Sequence, residues 1–444
     1  MSAQPPPQTL LLGCRPIRVL VVTSTQTGGM PQSHRDLAIA LQRCAGKGGL
    51  EVWHLNALHQ TLTLSRVDDL GQDCVVHRHQ LPQAVAPTTH RGPAYDAVVR
   101  TWLTEYRFSV LQVHHLAWHS LGLLSLAKEA GARVVVTFHD YYHLCPTVKL
   151  VDADGHYCAG ACSAGATDCA PEPMWPGFAF PRLRGAWVQE WRQMAEQALA
   201  AADAYTAPHD SVRQVVLTHL DLPADKPFEV MAHGRDFAQV QWLGQLPKRG
   251  QVLNILVPGH LIAAKGLDVV RRLAQRDRGE KLQFHVLGPV QAPLEMPGVT
   301  VHGEYRSEEF STWVRRISPH VGAVFSIWNE TWCHTLTEMW ACGLPVMAFD
   351  FPTVGSRIRE SGAGWVWPVE AAAEGEAAVA DLHARILRLD FMEVSRKAAR
   401  AAAWMPKLLQ QCTKRMAQKY LALYRRCGVE VADEELGVDV DPNN

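Results

Sequence analysis

Residues 326–350 read "SIWNETWCHTLTEMWACGLPVMAFD", with two glutamates, Glu330 and Glu338, eight positions apart. The run before them, "VGAVFSI" (321–327), is uninterrupted apolar chain and reads as a strand buried on both faces. "WNET" reads as a turn and "WCHTLTEMWAC" (332–342) as a helix. Asn329 or Thr331 is its expected N-cap, and Gly343 with Pro345 closes it. Glu330 then projects from the strand's carboxyl edge, where open α/β sheets bind ligands. Glu338 follows about two turns later, rotated by roughly 80° at about 100° per residue. The free N–H groups around Cys333, His334 and Thr335 suit a phosphate. Taken alone, the same two acids are equally a helix-dipole partner and a surface residue.

Working outward, the chain alternates strands and helices on both sides of this stretch. Towards the N-terminus of the same half come "VLNILVPGHLIAAKGLDVVRRLAQ" (252–275), "KLQFHVLG" (281–288), "GVTVHGEY" (298–305) and "EEFSTWVRRIS" (308–318). The first half opens on "IRVLVVTST" (17–25), the loop "QTGGMPQSH" (26–34) and the helical "RDLAIALQRCA" (35–45). "LEVWHLN", "AYDAVVRTWLTEYRF", "SVLQVHHL" and "ARVVVTFHD" continue the pattern. Strands alternating with helices predict right-handed βαβ units. The expected architecture is α/β: two Rossmann-like, doubly wound domains facing each other across a cleft. Their spans are 17–244 and 252–404, joined by "QLPKRGQ" (245–251). A helix over 405–428 is expected to pack back on the first domain, with a flexible leader over 1–16 and an acidic tail over 429–444.

Composition narrows the function class. Of 444 residues 47% are hydrophobic and 20% charged, ordinary for a globular protein, and too long a chain for one core. Lys plus Arg number 43 against 44 Asp plus Glu, a balance that gives nucleic acid no electrostatic hold. No apolar run reaches the roughly 18 residues needed to span a bilayer, and the start lacks a basic n-region. A cytoplasmic location is expected, with the inner face of the membrane as an alternative.

The alternation pauses over 141–184, a Gly-, Pro- and Cys-rich insert of the length that marks functional loops. It holds Cys145, Cys158, Cys162 and Cys169, with His143 and His156 nearby. The spacing is not that of paired CxxC ribbons, so structural zinc, free thiols and an oxidised pair all stay open. "PEPMWPGFAFPRLRG" (171–185) sets apolar rings beside Arg182 and Arg184, a combination suited to a lipid phosphate or to simple packing.

"WNETWCHTLTEMWACGLPV" resembles the paired-glutamate motif of the retaining family 4 glycosyltransferases, which have the GT-B fold. "NILVPGHLIAAKGLDVV", the run "VTVHGEYRSEEFSTWVRRISPHVGAVFSIWNE", "VMAHGRDF", the early "GG" and "VVVTFHDYYHLCP" resemble further family segments in the same order. The resemblance spans roughly 17–425. It implies a nucleotide-sugar donor, with Glu330 on the sugar hydroxyls, Glu338 on the ribose and Lys265 on the diphosphate. It also places His139, which with Asp140 ends "VVVTFHD", near the donor sugar. Gly28, Gly29, Gly259, His260, Cys333, His334 and Thr335 would line the donor site. Many relatives carry Arg where this chain has His260, and often Gly where it has Cys333.

The implied reaction moves a sugar, with retention, to a glycan or lipid-linked acceptor in surface polysaccharide assembly. No metal or cofactor is required for it, because Lys265 and helix N–H groups meet the diphosphate. The alternatives are a noncatalytic nucleotide-sugar-binding partner of another transferase and an epimerase on a similar fold.

Overall fold

The computed structural model describes residues 16–24, 29–46, 48–162, 169, 186–237, 241–248, 250–372 and 375–431. All of the expected leader but Pro16 and most of the acidic tail lie outside these residues, as do Gly28, Arg182 and Arg184.

Eight strands form the first sheet: β1 (Ile17–Thr23), β2 (Leu50–Leu58), β3 (Thr61–Val67), β4 (Asp73–Gln80), β5 (Val110–Val113), β6 (Arg133–Thr137), β7 (Ala204–Ala207) and β8 (Phe228–Val230). Their order is β4-β3-β2-β1-β5-β6-β7-β8. From β2 to β8 all pairings are parallel. β5, β6 and β7 are buried almost throughout because helices cover both faces, and their Val-rich runs carry that signature. β3 and β4 turn back antiparallel on β2, an edge that the expected βαβ alternation omitted. The period-two burial of "TLTLSRV" in β3 is the signal for it. Leu58 pairs with Thr61 across a two-residue turn, with His59 at φ +52°.

Six parallel strands form the second sheet: β9 (Leu253–Pro258), β10 (Leu282–Leu287), β11 (Val299–Val301), β12 (Val321–Val324), β13 (Val346–Phe349) and β14 (Gly364–Trp367). Their order is β11-β10-β9-β12-β13-β14. The order reverses direction between β9 and β12, the position at which such sheets open a ligand crevice.

Between the sheets the chain crosses without regular structure and bonds early to the second domain. The Gln241 and Leu243 amides donate to Ala341 and Cys342 carbonyls at 3.1 and 2.9 Å. The last helix, Thr413–Arg426, returns to the first sheet. Its Met416, Ala417, Tyr420 and Tyr424 pack with Val19, Val21, Leu37 and Leu41. Tyr424 donates to Gln112 Oε1 at 3.0 Å, tying this helix to β5.

Candidate active site

β12 ends at Val324, and nine residues of turn precede the helix His334–Ala341. The helix is therefore shorter at its start than the sequence suggests, and neither expected N-cap caps it. Asn329 Nδ2 donates to Tyr141 Oη at 2.8 Å while its Oδ1 accepts from the Thr353 amide at 2.9 Å. Thr331 Oγ1 donates to the His139 carbonyl at 2.5 Å. Both side chains are spent on holding the turn against the first domain and β13's following helix. Cys333 takes the cap position instead, at φ +70° and ψ +84°, without a side-chain cap bond. Such left-handed angles suit a glycine, and a Cβ is strained there.

Arg357, from the helix Pro352–Ser361, fixes this turn. Its guanidinium lies 3.9 Å from the Trp332 ring centre and donates to the Trp332 and Cys333 carbonyls and to Thr337 Oγ1. With those carbonyls held inward, the N–H groups at the helix start are free of side-chain caps. Burial pushes the Arg357 pKa down to about 10.

Lys265 ends the short 3-10 turn Ala263–Lys265 that follows β9. Gly266, at φ +88°, lets that turn lie against β12's end: a Cβ there would stand 2.2 Å from the Phe325 carbonyl oxygen. Lys265 Nζ thereby meets Glu330 Oε2 at 2.6 Å, and Ser326 Oγ donates to the other carboxylate oxygen. Glu330 is only 4% exposed. Burial disfavours its charge, yet Lys265 and Ser326 hold its carboxyl below the usual range. Burial likewise opposes the Lys265 ammonium, and Glu330 overcomes this to raise it.

Glu338, 6% exposed, has a different set of partners. Arg235 Nη2 and Ser307 Oγ both donate to its Oε1 at 2.8 Å. Arg235 comes from the crossing segment and also faces Asp36 of the first helix, Gly29–Cys44, at 3.9 Å. Burial pushes the Glu338 carboxyl up, against the pull of Arg235 and Ser307.

The remaining expected residues divide. Gly259, at φ +100°, sits under Thr335, whose Cγ2 lies 3.4 Å from where a Cβ would be. His260 is exposed. His334 Nε2 bonds Ser33 Oγ of the first helix at 2.8 Å, and Gly29 begins that helix. Burial raises the Cys333 thiol to about 12, so it is a neutral space-filler.

His139 closes the cleft from the first domain. Its ring stacks on His233 at 4.8 Å, and His233 stacks on His334 at 5.4 Å, so three rings bridge the two domains. Asp140 turns instead to His115 Nε2, 3.3 Å away, and to the Tyr142 amide. Sequence reasoning missed Arg235, Arg357 and Ser307. Arg235 and Ser307 lie in segments quoted above for their resemblance, and no local pattern marks Arg357.

The four insert cysteines are free thiols. Cys145 is buried in the first core, accepting from Thr147 at 3.4 Å, and Cys158 donates to the Leu150 carbonyl. Among the described residues their sulfurs do not form a group of three metal-ligand atoms, whereas His34, His114 and His139 do. Zinc at Cys145, Cys158, Cys162 and Cys169 stays an expectation from their clustering in the sequence alone.

The chain is similar to known proteins over part of its sequence and in its fold. Residues 27–239 match the family model described as Glycosyltransferase Family 4. No curated protein matches the sequence closely. Over the fold, the chain is similar to sucrose-phosphate synthase from Thermosynechococcus elongatus, at 14% identity and a TM-score of 0.61, covering 92% of this chain and 98% of that one. It is similar to Anabaena HepE in complex with UDP-glucose, at 12% identity and a TM-score of 0.57, covering 92% and 100%. An E. coli trehalose-6-phosphate structure with UDP-2-fluoro glucose gives 11% identity and 0.56, covering 94% and 100%. With this two-sheet architecture shared along nine-tenths of its length, the chain has the GT-B fold, and its first domain matches the Glycosyltransferase Family 4 model.

Proposed function

We propose that the protein transfers a sugar, with retention, from a nucleoside-diphosphate sugar to a glycan or lipid-linked acceptor in surface polysaccharide assembly. The observation that carries this reading is the Lys265–Glu330 pair at 2.6 Å, its carboxylate buried, beside a helix start without a side-chain cap. A diphosphate arriving at that helix start competes for Lys265. As Lys265 turns to the phosphate, Glu330 is released to accept hydrogen bonds from sugar hydroxyls. Charge builds on the leaving diphosphate as the glycosidic bond breaks, so a fixed cation and N–H groups act mainly in the transition state. Glu330's carboxylate supports the positive character left at the anomeric carbon. Glu338, whose carboxylate is held by Arg235 and Ser307, accepts from the ribose hydroxyls in this reading.

The structures of similar proteins hold UDP-glucose and UDP-2-fluoro glucose, so uridine-diphosphate sugars are the first donors to try. The test incubates the protein with a panel of nucleotide sugars and follows nucleoside diphosphate release. Slow release, faster with an added acceptor, is expected. Saturable binding without turnover, or an intact donor with an inverted centre, would overturn the transferase reading.

A further inference from the structure

The first sheet ends in histidines. The first helix follows β1, and His34 lies in it; His114 follows β5 directly, and His139 stands two residues after β6. β1, β5 and β6 are adjacent and parallel, so the three imidazoles arrive at one carboxyl edge. All are buried, with His34 at 4% and His114 at 2% exposure. One ring nitrogen from each lies within 4.8 Å of those of the others. Ring centres are 4.3 Å apart for His34 and His114 and 4.4 Å for His114 and His139.

We propose that His34, His114 and His139 form a binding site for a divalent transition-metal ion at the carboxyl edge of the first sheet.

A purely hydrogen-bonded cluster accounts poorly for the same atoms. His114 Nδ1 faces His139 Nε2 and can share one proton with it. His34 Nε2 and His114 Nε2 are nevertheless buried with no hydrogen-bond partner. Buried polar atoms without partners are uncommon and point to an ion or a water. Tetrahedral coordination at about 2.0–2.1 Å places ligand nitrogens about 3.3 Å apart, within reach of small ring rotations here. Imidazole favours zinc, copper, nickel or iron over magnesium or calcium. Burial, reinforced by the neighbouring histidines, lowers the His34 and His139 pKa values far below the usual range and brings that of His114 to about 3. All three rings therefore keep lone pairs at neutral pH. Three protein ligands leave a position for water or a ligand oxygen.

The experiment titrates chelator-treated protein with cobalt(II) and reads visible absorption and stoichiometry. One cobalt per chain is expected, with the d–d bands of a nitrogen-ligated, low-coordinate ion, no thiolate charge-transfer band, and displacement by zinc(II). His114→Asn and His34→Gln should each weaken binding by at least about tenfold. His79→Asn, exposed on β4, should bind as wild type. Circular dichroism checks folding, and His34→Gln decides if His114→Asn does not fold. Folded wild type without cobalt, a thiolate band, or wild-type affinity in the folded histidine variants would overturn the proposal.

Discussion

The carboxyl edges of the two sheets face one cleft with different chemistry. The second sheet's edge ends in paired charge, Lys265 against Glu330 and Arg235 against Glu338. The first sheet's edge ends in His34, His114 and His139, which burial keeps neutral. The difference follows from what each edge can hold. A buried charge persists only with a partner, so each acid on the second edge has a cation that an anionic ligand can draw away. Neutral imidazoles cannot neutralise a diphosphate, but they can donate lone pairs. The comparison predicts that donor binding rests on the charged edge, and that its residues fail in distinct ways.

The largest expected loss is at Arg357, which carries no substrate contact in this account. It is buried, bonds two carbonyls and a hydroxyl, and covers Trp332. Arg357→Ala should cost about 3 kcal/mol, through lost packing and unsatisfied carbonyls. A melting temperature lowered by at least about 5 °C is the expected reading. Arg357→Lys should recover little, since an ammonium lacks the planar fork that spans these acceptors. Full rescue by Lys would show that charge alone matters there.

The two glutamates sharpen the comparison further. Glu330→Gln removes the charge felt most as the anomeric carbon becomes cationic, so turnover should fall at least about tenfold. Glu338→Gln should act on ribose recognition, raising the donor's Michaelis constant more than it lowers turnover. Steady-state kinetics on both folded variants checks this, and wild-type kinetics in both would return the acids to a dipole partner and a structural residue.

A smaller effect concerns pH. Glu330 is held below its ordinary range, so its contribution to stability is full above about pH 4.3 and is lost as pH falls through its lowered value. Lys265 is raised, so its contribution is full below about pH 10.4 and is lost as pH rises through its raised value. Glu330→Gln should therefore destabilise across the middle of the range and converge with wild type at both ends. About 1–2 kcal/mol is expected, less than for a fully buried pair, because Lys265's side chain is 35% exposed. Melting curves at acid, neutral and alkaline pH read the difference; one that persists at both ends would contradict the pairing.

How much of this was legible in the chain depends on sequence distance. The Val-rich strands and the strand–turn–helix around Glu330 are local patterns, and Gly266 and Lys265 sit in one short run. The local reading failed at Asn329 and Thr331, because partners on Tyr141 and His139 outcompete a helix cap. It missed β3 and β4 because antiparallel return breaks the βαβ rhythm. Arg235 meets Glu338 across 103 positions, and His34 meets His114 across 80; only the closed fold makes such neighbours. The second edge announced itself through one contiguous motif. The first edge's histidines come from the helix after β1 and from the ends of β5 and β6, and only the sheet order assembles them.

The claim that the charged edge holds the donor's diphosphate is tested most directly by calorimetry of UDP binding to wild type and Lys265→Ala. Loss of a charge-assisted contact should weaken binding by about 1.5–3 kcal/mol, roughly a factor of ten to a hundred and fifty. UDP binding unchanged in the folded variant would contradict it.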